Sequence, residues 1–347
     1  MKKNLFYTAV ILFCLIISPE MQAEDHFEID QSRTPVQIEK KSFSNISKIE
    51  IKHLYGDIFV RESATKQVEL EIQYLDQKAG EQVSCETSTS NNILSIQTNY
   101  KGGANNNNRP SINYIISIPR NTGLSIDLKY GNIKMNPFHG PFMADLSYSD
   151  LSAKSLTGST PSVKIKYGNM SIENAPDILV NAAYSDIKID KANNVNISGD
   201  YNNYVFNNAH SITSNKSLNY GDIKVTTVTN MNLNIQYGDV KIGNLVSNLD
   251  AVCLYSDIKI NNVSPKISNV MMKGSYSDMT ISLPQDISVS FDLNMNYGDV
   301  DISKTHNVTY TQQSESDTKI VKIGKIGSKS PTGKITVISN YGDLKIK

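Results

Sequence analysis

The sequence predicts an all-β protein built as a parallel β-solenoid, and three observations carry that prediction. A tripeptide of Tyr, then Gly or Ser, then Asp or Asn recurs along the 347 residues, starting at Tyr55, Tyr130, Tyr148, Tyr167, Tyr184, Tyr201, Tyr220, Tyr237, Tyr255, Tyr276, Tyr297 and Tyr341. Between Tyr130 and Tyr297 the copies are 17–21 residues apart, and a period near 20 residues marks a stacked repeat. The composition, rich in Tyr and in the β-branched Ile and Val and without Trp, suits strands.

Each copy reads as two strands meeting at a bend. Around Tyr237, the residues Leu233, Ile235 and Tyr237 alternate with Asn234 and Gln236, and the alternation resumes as Val240 and Ile242 around Lys241. That is period-2 patterning with one buried face. Its parity slips by one residue across Gly238-Asp239, so a bend or bulge is expected there, at residues that tolerate unusual backbone. The same frame fits Ile126 to Met135 and Val163 to Ile172. Where the middle residue is Gly, the residue two before the Tyr is often large (Leu128, Ile165, Leu218, Ile235, Met295); where it is Ser, that residue is often small (Ala182, Cys253, Gly274, with Leu146 the exception). This pattern predicts volume compensation between neighbouring coils.

Residues 1–23 read as an export leader, with Lys2 and Lys3 ahead of the apolar run Leu5 to Ile17 and a cleavage site near Ala23. The run is short for a membrane span, and Cys14 inside it is a poor lipid-anchor context. No second stretch is long enough to cross a bilayer. Lys plus Arg and Asp plus Glu both number 34, so charge gives no case for nucleic acid or an anionic membrane. Cys85 and Cys253 remain after the leader; export permits a disulfide, but their separation and the inward parity of Cys253 favour two separate thiols.

Residues 24–123 are expected to form an extended lead-in and an N-terminal capping segment. A first copy sits in KIEIKHLYGDIFV, and VELEIQYL, NILSIQTNY and SINYIISIP follow as alternating strands, the last two joined by the loop KGGANNNNRP. Antiparallel strands there would cover the open end of the stack, which otherwise invites aggregation. Residues 124–302 are the regular array, with aromatics at the inward positions of the degenerate copy Tyr201-Asn202-Asn203-Tyr204-Val205-Phe206. Residues 303–347 hold an irregular segment, with a loop over Gln312 to Thr318, and a terminal copy, ITVISNYGDLKIK. That last coil is expected either to lie exposed or to be covered by 303–330. Equivalent positions would stack about 4.8 Å apart, giving an array of about 45 Å. An antiparallel meander with a hairpin at each tripeptide is the alternative; the parity slip favours a bent strand.

The stretch IPRNTGLSIDLKYGNIKM, the YGDIKV and YSDIKI units and the terminal GKITVISNYGDLKIK resemble a bacterial candidate-adhesin family related to the auto-transporter adhesin head domain called GIN. The resemblance covers most of 47–347. It implies a right-handed β-helix, exported, with no established activity.

Three columns of side chains are the candidate binding residues: Tyr148, Tyr184, Tyr220, Tyr237 and Tyr255; Asp150, Asp186, Asp222, Asp239 and Asp257; and Lys224, Lys241 and Lys259. Parity places Tyr with the inward set, as an internal ladder; an exposed stripe would instead offer a platform to sugars or a protein partner. Each Asp or Asn is expected to accept its own backbone N–H groups at the bend. Clustered carboxylates also suit calcium, but the nine-residue calcium repeat is absent, and no cofactor or metal is expected. The five His are scattered, and no nucleophile elbow, zinc-protease or phosphate-loop motif occurs. The sequence therefore points to an exported binding or structural module of the envelope, periplasm or exterior, with a glycan or an envelope protein as partner. A β-helix carbohydrate-active enzyme using stacked Asp is the alternative.

Overall fold

The computed structural model describes residues 34–76, 79–101 and 110–347. The expected leader, the start of the lead-in and most of the KGGANNNNRP loop lie outside the described residues. The chain winds as a β-solenoid whose strands stack parallel and in register. On the face before the bend, Ile51, Ile126, Ala144, Val163 and Val180 succeed one another from coil to coil. On the face after it, Tyr204, Ile223, Val240, Ile258 and Met279 do the same. A third inward column carries Ala209, Val228, Leu245 and Val263. All of these are buried, and each large aliphatic side chain so buried contributes about 1.5–3 kcal/mol. The period-2 alternation supplies one inward residue per pleat, and the parallel register puts like on like.

The parity slip is resolved at Tyr, not at the Gly or Ser after it. All twelve motif tyrosines have φ between 51 and 61°, the left-handed region that non-glycine residues seldom occupy. That single residue reverses the alternation, so the Tyr ring swings outward and the middle residue turns in. Ser149, Ser185, Ser256 and Ser277 are accordingly buried. Each hydroxyl donates to the carbonyl two residues earlier, at 2.9–3.1 Å. Ser256 and Ser277 also accept an amide from the adjoining coil, from Gly238 and Ser256 at 3.1 and 3.0 Å. The expected volume compensation is not carried by Ser277: a Cβ at Gly274 would lie 2.4 Å from Met279 Cε, but only in ordinary contact, at 3.4 and 3.5 Å, with Ser277 Cβ and with Ser339 Oγ of the adjoining coil. Asn202, the bulkiest middle residue, has Gly199 two residues before its Tyr201 and donates its side-chain amide to the Ala182 carbonyl at 2.9 Å. Where Gly fills the middle position, the coils approach closely; a Cβ on Gly168 would sit 2.0 Å from the Ser149 carbonyl oxygen.

Antiparallel strands close the N-terminal end. Gln67–Tyr74 runs antiparallel to Ile112–Pro119 and to Gln37–Ser44. Ile93–Tyr100 continues the stack parallel to Lys48–Leu54 and is covered by antiparallel Val83–Ser90. His53 is buried under this cap with Nδ1 2.6 Å from Thr98 Oγ1, which is 2.6 Å from the Tyr114 hydroxyl.

The C-terminal end departs from expectation twice. Residues 312–318 are not a simple loop: Val308–Ser316 is a strand, paired antiparallel with Lys319–Ile326, which pairs antiparallel with Val289–Asn296. It reads as loop because it is the outermost strand, exposed almost throughout, and polar edges resist further pairing. The terminal copy, moreover, is neither exposed nor merely covered. Gly333–Asn340 lies between Asn269–Ser275 and Val289–Asn296, parallel to both, and Leu344–Ile346 lies between Met279–Ile281 and Val300–Ile302. The last coil is therefore intercalated between two earlier ones.

Two outcomes follow. Gly168→Ala is expected to destabilise by about 1–3 kcal/mol through overpacking, whereas Gly123→Ala, whose Cβ would meet nothing nearer than 3.5 Å, leaves the urea midpoint nearly unchanged. Burial pushes the His53 pKa down from 6.5 to about 3. The folded cap keeps this ring neutral while the unfolded chain takes up a proton, so stability is lost as pH falls from 6.5 towards 3, by roughly 4 kcal/mol. Urea titrations across that range should show the slope in the natural chain and a flatter one in His53→Gln.

Candidate binding ridge

The left-handed tyrosines form one unbroken column. Successive rings from Tyr55 through Tyr130, Tyr148, Tyr167, Tyr184, Tyr201, Tyr220, Tyr237, Tyr255 and Tyr276 to Tyr341 and Tyr297 have centroids 4.7–5.2 Å apart and planes within 5–12°. The out-of-order end, Tyr276 then Tyr341 then Tyr297, reflects the intercalated coil. Eleven of these side chains, all but Tyr55, are 46–56% exposed. This corrects the inward placement that parity suggests, and the reason is the left-handed Tyr itself, which flips the alternation one residue early. At the N-terminal end the ladder is closed by Tyr100, set edge-on to Tyr55 at 5.8 Å and anchored by its hydroxyl to the carbonyls of Leu54 and Pro110.

The stacking direction decides what the ridge can offer. Each internal ring has a neighbour against both faces, so what meets solvent is a row of ring edges and phenol hydroxyls. The Tyr201 phenol is held above its ordinary pKa by desolvation, then by Tyr184, Tyr220 and Asp200.

Beside the tyrosines runs the Asp/Asn column, and its bonding also differs from expectation. The side chains accept from the equivalent residue of the adjoining coil and not from their own backbone. Asn169 N donates to Asp150 Oδ1 at 2.7 Å, Asp239 N to Asp222 at 2.9 Å, Asp257 N to Asp239 at 3.2 Å and Asp278 N to Asp257 at 2.8 Å. At the corner the strand ladder leaves this amide without a carbonyl, and an unpaired backbone group is costly; the in-register carboxylate one coil away supplies the acceptor. Asp186 receives the Asn203 side-chain amide at 2.9 Å. The lysines lie on the adjoining face, Lys224, Lys241 and Lys259 directly in register with one another. Among the described residues no ion pair joins a motif Asp to one of these lysines; Lys188 and Lys345 reach Asp190 and Asp301 instead, each at 3.6 Å.

The structure thus brings Tyr148, Tyr184, Tyr220, Tyr237 and Tyr255 into one column, Asp150, Asp186, Asp222, Asp239 and Asp257 into a second, and Lys224, Lys241 and Lys259 into a third. The predicted list omits Tyr55, Tyr130, Tyr167, Tyr201, Tyr276, Tyr297 and Tyr341, which belong equally to the ladder and carry the same tripeptide signal. Nothing in the sequence marks Tyr100 as the ladder's end. Cys85 and Cys253 are free thiols, and burial pushes Cys253 up to about 12. Among the described residues, no group of three or more His, Cys, Asp or Glu is placed to hold a metal ion, and no helix is long and apolar enough to cross a membrane.

Stacked coils, capped ends and a repeated corner define a β-solenoid repeat protein. The chain belongs to the Toastrack DUF4097 family, which matches residues 46–347. No curated protein matches it. Solved structures similar to it include a candidate adhesin from Parabacteroides merdae, 13% identical, covering 72% of this chain and 93% of that one with a TM-score of 0.35. Another, from Parabacteroides distasonis, is 18% identical over 71% of this chain and 93% of that one, with a TM-score of 0.31. A third, from Bacteroides fragilis, is 13% identical over 90% and 98%, with a TM-score of 0.29.

The ladder makes a test of its own energetics. Tyr237→Ala removes two stacking contacts, each worth about 0.5–1.5 kcal/mol, and keeps a residue that resists the left-handed region. Tyr237→Gly loses the same contacts but relieves that strain, so it should be the less destabilising by about 1 kcal/mol. Urea unfolding of the two variants checks the order, which is the reverse of the usual one in a strand.

Proposed function

We propose that this chain is an exported, non-catalytic module of the bacterial envelope or exterior that binds through its Tyr and Asp columns, with the lysine column at their flank. The observation that carries the reading is the exposed ladder of tyrosines. Half-exposed Tyr is enriched where proteins meet partners, and a ridge of identical contacts roughly 50 Å long, on the strand spacing, suits many weak contacts made at once. Because the ring faces are occupied by neighbouring rings, the ridge engages a partner by ring edges, hydroxyls and carboxylates. That favours an envelope protein over a glycan stacked on an aromatic face. The motif carboxylates already serve backbone amides, which supports a structural and contact role for them over a catalytic one.

The test uses the chain and a ridge variant in which Tyr167, Tyr184, Tyr201, Tyr220 and Tyr237 are all replaced by Asn, a residue that tolerates the left-handed region. Both are applied to an array of glycans and envelope components, with and without calcium, and to intact envelopes with crosslinking. Capture by the natural chain that is lost in the circular-dichroism-competent variant is the expected result. Equal capture by both, or none by either in array and envelope alike, overturns the reading.

A further inference from the structure

The intercalated coil has a consequence for assembly. No strand pairing joins the coil of Asn269–Ser275 and Met279–Ile281 directly to the coil of Val289–Asn296 and Val300–Ile302. Both pair only through residues 333–347, which lie between them. The segment holds the two edges by backbone bonds on each side. Tyr276 N and Met279 N donate to the carbonyls of Asn340 and Asp343, at 2.9 and 2.8 Å. Tyr341 N and Leu344 N donate to those of Asn296 and Asp299, both at 2.9 Å. Its Ile335, Val337, Leu344 and Ile346 are buried in the core, and Tyr341 stacks on Tyr276 and Tyr297, each at 4.9 Å. The terminal module, made of the Tyr297 coil and the hairpin over 308–326, is thus fastened to the array by a clasp.

We infer that this clasp is exchangeable and that the slot between the two coils takes the same segment from a second copy of the chain, giving a clasp-swapped dimer. Three features support it. The clasp follows both of its partner coils in sequence and pairs with an edge of each. Whenever the clasp is undocked, two matched strand edges stand open, and open edges recruit strands. The occupant that fits them is already known in every residue, since it is the clasp itself, and an identical segment in trans makes identical contacts. The connection to the clasp, residues 327–332, lies outside any strand and is exposed from Ser328 to Thr332. It begins at Gly327, with φ of 90°, a residue that can take either sign of φ when a hinge extends. Other outer strands are largely polar, Val83–Ser90 and Val308–Ser316 as hairpin partners and Gln37–Ser44 paired to Gln67–Tyr74, although Ile38 and Tyr310 are exposed on them and the short Val300–Ile302 pairs on one side alone.

The inference does not rest on the binding reading of the ridge. Its test exploits Lys273 and Ile338, exposed neighbours in register across the slot and the clasp. One full-length chain carries Lys273→Cys alone and a second, differently tagged, carries Ile338→Cys alone. They are mixed over a concentration series, with and without a mild urea pulse, then oxidised and digested. The expected result is a covalent heterodimer whose bond maps to positions 273 and 338. It should rise with concentration and be lost when the clasp is first locked within one chain by the double variant. Ready oxidation of that single-chain double variant without any 273–338 bond between chains shows a clasp that does not exchange and overturns the inference. Sedimentation showing monomer alone at every concentration, before and after the pulse, does the same.

Discussion

A tyrosine in the left-handed region is strained, and this fold places one at every motif corner. The cost is about 1–2 kcal/mol for each, and a stacked ring returns about 0.5–1.5 kcal/mol per pair. The two nearly offset, so stacking alone does not explain the corner. What does is burial. Only a residue of reversed φ turns the alternation over between one pleat and the next, and without that reversal the arm after the corner would point its Val and Ile at solvent. In the Tyr237 copy this concerns Val240 and Ile242, both fully buried, worth several kcal/mol together at about 1.5–3 each. The strain at one residue is thus the condition for burying the next strand.

From that corner the other columns follow. With Tyr turned out, the middle residue turns in, towards a closely approaching backbone that takes Gly, a self-bonding Ser or, in one copy, Asn202. The third residue turns out again, its amide left without a strand partner, and an Asp or Asn one coil away accepts it. Asn also occupies the left-handed region at Asn45, Asn91, Asn92 and Asn121, away from the motif. Asn or Gly would therefore close the motif corner with less strain. Tyr adds what neither can, a ring that stacks on the next and a hydroxyl held at the surface.

Much of this was legible in the chain. The period, the alternating arms and the parity slip are all local, and the coil and the parallel stack came through as read, while the bend falls on the Tyr, one residue ahead of the expected Gly-Asp. The misplaced features share a cause. Parity counts residues and cannot see φ, so it set Tyr237 inside when the reversal falls on Tyr237 itself. Likewise an Asx turn and an intercoil bond from Asp239 need the same side chain, and only the register tells them apart. The intercalated coil was hidden because repeat copies look alike. The tripeptide at Tyr341 fits equally well after Tyr297 or between Tyr276 and Tyr297, and sequence order favours the first while the structure takes the second.

That ambiguity is itself informative about what a solenoid of near-identical coils can do. When every coil presents the same edge, the stacking energy of a coil depends little on which neighbours it has. Order along the rod must then come from the chain's connections and from the non-repeating ends. At the N-terminal end Tyr100 and the antiparallel strands supply that definition: they cover the first ring and leave a polar edge. At the other end the definition comes from a hairpin that covers the Val289–Asn296 arm of the Tyr297 coil and from the last copy, which fills the gap between that coil and the Tyr276 coil. With the internal ring faces packed against one another, the surface that repeats and stays accessible is lateral, along the edges of the tyrosines and the carboxylates beside them. A partner that used the rod's length would have to meet it there.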